Sequence, residues 1–112
     1  GDIPSFEKTD QNVQTEDAQF LTWASTFPSP QRQEWLSLLD EMEKLQTKEA
    51  RTYKALDKLE ALISHNESDL STWLPLEYDL QLTYGQENVK FSPYLTALRK
   101  CIDQWTLAKI TP

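Results

Sequence analysis

Only two glycines, Gly1 and Gly85, occur in the 112 residues of this chain. A sheet protein of that size needs many tight turns, and tight turns draw on glycine. Between these two glycines the chain is rich in Leu, Glu, Lys, Gln and Ala, which are strong helix formers. The residues therefore favour an all-α fold of one small domain, or part of one.

Five helices follow from spacing and punctuation. The first is read over "TEDAQFLTWASTF", with Thr15 as its N-cap and residues 1–13 as a loop. "PSP" at 28–30 stops it. The second, "QRQEWLSLLDEMEKL", carries Trp35, Leu38, Leu39, Met42 and Leu45 as one apolar stripe. Thr47 is placed to cap the third, which runs to about residue 65. A fourth is read over 71–85, with Ser71 or Thr72 as cap and Gly85 as its stop. "QENVKF" reads as a loop. The fifth starts at the Ser92 cap with Pro93 at its first position.

Charge and cysteine content exclude several functions. There are 18 acidic and 11 basic residues, a net charge of -7, and no basic stripe. Nucleic acid and anionic membrane are thus not expected partners. The single cysteine, Cys101, allows neither an intrachain disulfide nor a cysteine-based zinc site. It is expected to be a small buried residue. The sequence has no signal-peptide pattern and no long apolar run, so a cytoplasmic location is expected. The chain opens without Met, so upstream sequence is expected to exist.

Asp57 is the residue that invites a chemical reading. Leu56, Leu59 and Ile63 group on one side of the third helix, and Asp57 on another with Ala50, Tyr53, Ala61 and Ser64. Both sides are expected to be at least partly buried. A buried carboxylate requires a partner or a cation. Two readings stand side by side: an intrahelical pair with Lys54, and a ligand for a hard divalent cation. His65, the single histidine, reads as a helix-end residue. A one-histidine metal site with Glu67 and Asp69 is its alternative. The four tryptophans, Trp23, Trp35, Trp73 and Trp105, are expected in the core. No nucleotide-binding glycine loop and no nucleophile elbow occurs.

Two stretches, "GDIPSFEKT" and "KALDKLEALISHNESDLSTWLPLEYDLQLTYGQENVKFSPYLTALR", resemble the C-terminal half of HD-domain metal-dependent phosphohydrolases, in the branch that includes 5′-deoxynucleotidases. The family's order is a His, a His-Asp doublet with an acid shortly after, a Gly-Asp-Ile/Leu-Pro segment, and Lys-x-x-Asp. Gly1-Asp2-Ile3-Pro4 is similar to the third of these and Lys54-Ala55-Leu56-Asp57 to the last. The resemblance implies a helical bundle, with Asp57 as the last metal ligand. It implies Asp2 as an active-site acid and Lys54 as a group that offsets phosphate charge. It also implies a divalent cofactor (Mn²⁺, Co²⁺ or Mg²⁺) and a small phosphate ester, such as a nucleoside monophosphate, as substrate. In that chemistry the ion polarises phosphate and activates water. The first His and the His-Asp doublet are missing from these residues. The chain is therefore expected to be the C-terminal portion of an HD domain, inactive alone, that docks with its missing half or forms a homodimer. Two other readings stay open: a non-enzymatic helical interaction module and a structural fragment.

Overall fold

The computed structural model describes residues 9–112, and there the chain is all-α, as its composition predicts. Five helices form: α1 (Asp10–Ser25), α2 (Gln31–Lys44), α3 (Lys48–Glu67), α4 (Pro75–Thr83) and α5 (Pro93–Ile110). Short 3-10 turns at Leu70–Thr72 and Glu87–Val89 flank α4. No strand occurs among the described residues. None of their helices is long and apolar enough to cross a membrane.

The chain divides into two compact units, Gly1–Ala50 and Arg51–Pro112. In the first, α1 starts earlier than the sequence suggests. Thr9, not Thr15, is its cap: the Thr9 hydroxyl accepts from the Asn12 N–H at 3.2 Å, and the Asn12 side chain accepts from the Thr9 N–H at 3.0 Å. This reciprocal pair satisfies two end donors that Thr15 leaves alone, since the Thr15 hydroxyl donates back to the Gln11 carbonyl. Trp23, Phe27 and Trp35 join α1 to α2 by edge-to-face ring contacts with centroids 4.6–6.2 Å apart. Leu45 ends α2 in the left-handed conformation, with φ 52°. No residue of α2 is fully buried.

The second unit holds a denser core. Ala55, Leu59 and Leu62 of α3 are buried, as are Trp73, Val89, and Leu95 and Ile102 of α5. Thr47 caps α3 as predicted, accepting from the Ala50 N–H at 3.1 Å. Ser92 caps α5, accepting from the Leu95 N–H at 3.2 Å. Around α4 the reading needs correction. Asp69 accepts from the Ser71 N–H and opens a 3-10 turn, so neither Ser71 nor Thr72 caps a helix. α4 begins at Pro75, whose missing N–H is harmless there. Gly85 follows it with φ 78°.

Polar residues stitch the elements of this unit together. Asn66 of α3 donates to the Thr106 hydroxyl of α5 at 2.9 Å, and both are fully buried. Arg99 of α5 is buried and donates to the Tyr84 carbonyl at the C-terminal end of α4. A cation there satisfies an orphan carbonyl and complements the helix dipole.

Candidate functional site

The geometry of α3 decides where Asp57 lies. Successive residues turn by about 100° around a helix. Ala55, Leu59, Leu62 and Asn66 therefore share one face, and all four are buried. Tyr53, Leu56, Asp57, Glu60 and Ser64 share the opposite face, and all five are exposed. Of the residues grouped with Asp57, Ala50 is buried and Ala61 half-buried, but Asp57 itself, Tyr53 and Ser64 are exposed, so the carboxylate is not buried. Of the Leu56, Leu59 and Ile63 group, Leu59 is in the core and Ile63 half-buried, but Leu56 is 47% exposed. The helix buries small Ala55 instead of Leu56.

Asp57 is exposed, and among the described residues its carboxylate holds neither a hydrogen bond nor an ion pair. The pairing with Lys54 is accordingly not formed. Lys54 flanks the same face and is half-buried. On the next turn the ammonium of Lys58 lies 4.5 Å from the centre of the Tyr84 ring. Burial, reinforced by the charge of Lys54, pushes the Lys58 ammonium below the usual lysine range, against the pull of Asp57. A methyl group placed on Gly85 would stand 3.0 Å from the Lys58 side chain, so the αL glycine leaves room for that stem. Nearby on α5, burial pushes the Asp103 carboxyl up, while Arg99, 3.6 Å away, opposes that shift.

His65 has a role that the sequence reading missed. Its Nδ1 lies 2.8 Å from Gln81 Oε1 and its Nε2 2.5 Å from Glu77 Oε2, both on α4. Trp73 stacks on the ring at 4.0 Å. The ring is thus turned toward α4, not toward a metal site with Glu67 and Asp69, both of which are exposed. Gln81, fully buried and flanked by Leu80 and Leu82, was the available signal, because a buried amide needs partners. Trp73 is buried as expected, but Trp23, Trp35 and Trp105 are each more than 40% exposed. Cys101 is exposed, contrary to expectation, because it lies off the Leu95–Arg99–Ile102–Thr106 face of α5.

A divalent ion needs several oxygen or nitrogen ligands. No group of three or more His, Cys, Asp or Glu that could hold one occurs among the described residues. Asp57 offers one carboxylate toward such a set. Asp2 lies outside the described residues.

No curated protein and no solved structure matches the chain. One family model, described as HD domain, matches residues 1–99. That match spans both described units and includes Lys54 and Asp57, and the chain belongs to the HD-domain family.

Proposed function

We propose that this chain is the C-terminal portion of an HD-domain phosphohydrolase of the 5′-deoxynucleotidase-like branch. It presents Asp57 as one ligand of a divalent-metal site whose His and His-Asp ligands lie outside these 112 residues. The observation that carries this reading is the exposed carboxylate of Asp57, without an ion-pair partner among the described residues, on the α3 face opposite the core. Exposed Tyr53 and Leu56 flank it, and an apolar margin of that kind suits the packing of further helices. Membership of the HD-domain family supports a divalent metal and a phosphate ester in general; the choice of a nucleoside monophosphate is part of the proposal and rests on the resemblance. A divalent ion would supply charge stabilisation for phosphoryl oxygens. Lys54, beside Asp57 on α3, is assigned to the substrate phosphate, and Asp2 to the acid near the reacting water.

The coding sequence before Gly1 is the first check. A His-Asp doublet there agrees with the proposal, and a start codon directly before Gly1 contradicts it. The functional test uses the protein expressed from its natural gene. Phosphate release from 2′-deoxynucleoside 5′-monophosphates is measured with Mn²⁺ or Co²⁺. Asp57→Ala is expected to lose more than the roughly 10–100-fold that outer-shell changes cost. Undiminished turnover by Asp57→Ala would remove Asp57 from the site.

The rival reading, a non-enzymatic helical module, uses the same Tyr53–Leu56 margin as a binding surface. It is favoured if the natural gene product releases no phosphate with any of these ions.

A further inference from the structure

Both ring nitrogens of His65 face side-chain oxygens. Gln81 is fully buried, and its Nε2 donates to the Leu62 carbonyl at 2.8 Å. Turning that amide over would set its oxygen against the Leu62 carbonyl, so Oε1 must point at His65. The 2.8 Å contact with Nδ1 then requires a proton on Nδ1. A neutral imidazole has only that one N–H. Its Nε2 lone pair would meet the Glu77 carboxylate at 2.5 Å, acceptor against acceptor.

We propose that His65, Glu77 and Gln81 form a proton-operated latch that ties the end of α3 to the first turn of α4. It is closed while the ring carries two protons and opens when one is lost. Other groups around the ring fit this role. Trp73, from the segment leading into α4, lies nearly parallel to the imidazole, at 14°, and its π face favours an imidazolium. The Trp73 indole N–H donates to Ser68 Oγ, which donates in turn to the His65 carbonyl. Asp69 turns its carboxylate to the Ser71 N–H. α5 meets this end of α3 through Thr106 and Asn66, which do not titrate, and its Lys109 ammonium acts by charge on Asp69.

The direction of the pH effect follows. The His65–Glu77 contact needs a charged ring and an ionised carboxylate. Removing the second ring proton or the carboxylate charge therefore removes its contribution.

The experiment has two arms. Ring ¹⁵N chemical shifts, assigned through their absence in His65→Gln, are read in the intact protein at about pH 6, where imidazole titrates. Two protonated nitrogens are expected; a neutral ring with a bare Nε2 overturns the latch. Thermal unfolding is then compared between about pH 6 and about pH 9, on either side of that titration. Wild type is expected to lose about 4 °C or more in Tm relative to Glu77→Gln, whose amide can donate to a bare Nε2. Parallel pH profiles for the two proteins overturn it.

Discussion

The two units of the molecule solve the same problem differently. In Gly1–Ala50, α2 buries no residue fully, and the helices meet through three aromatic rings, of which Trp23 and Trp35 stay more than 40% exposed. In Arg51–Pro112, α3 and α5 bury Leu59, Leu62, Leu95 and Ile102, and the buried polar residues Asn66, Gln81, Arg99 and Thr106 each find a partner. Such partners matter more to uniqueness than to gross burial, because an unsatisfied buried amide is costly. The second unit packs its core on one face of α3 and exposes Asp57 on the other. The first shows a helical hairpin whose aromatic cluster is incompletely covered.

Mutations test that contrast. Leu59→Ala, at a fully buried site, is expected to destabilise by about 2–5 kcal/mol in urea unfolding. Leu38→Ala, at a side chain 53% exposed on α2, should stay within about 0.5 kcal/mol. Equal costs would erase the distinction between the units. Thr106→Val removes the partner of buried Asn66 and should cost about 1–3 kcal/mol. A neutral outcome would mean that the Asn66–Thr106 pair does not hold α3 to α5. Gly85→Ala forces an L side chain into φ 78° beside Lys58, at a cost of about 1–2 kcal/mol. Ser92→Ala deletes the cap of α5 and should cost about 1 kcal/mol. Amide hydrogen exchange gives the mildest probe: protection is expected to be highest around Leu59, Leu62 and Ile102 and lower through α2. The reverse order would place the stable core in the hairpin.

Local chemistry made much of the fold legible. Thr47, Ser92, Pro93 and Gly85 all act where their capping and turn preferences put them. The start of α1 was hidden because its capping box uses Asn12 where Glu or Gln is the usual signal. The register of α3 was misread for a different reason. Leu56 is the more apolar residue, but the helix buries Ala55, in line with Leu59, Leu62 and Asn66. Asn66 belongs on the core face only because Thr106 waits for it 40 residues later, and no local pattern displays that partner. The same holds for His65, which finds Glu77 and Gln81 on another helix. Asp57 drew attention as an out-of-place carboxylate in a buried helix; in the structure it lies on the exposed face. Its proposed role as a ligand therefore rests on that exposed carboxylate, unpaired among the described residues, and on the Lys-x-x-Asp resemblance, not on burial.

Direct Mn²⁺ titration by calorimetry, on the protein from its natural gene and on its Asp57→Ala variant, tests the central claim. Stoichiometric binding by the wild type, weakened at least about 100-fold in a variant of unchanged metal-free stability, is the predicted result. Equal Mn²⁺ affinity in the two proteins would contradict it.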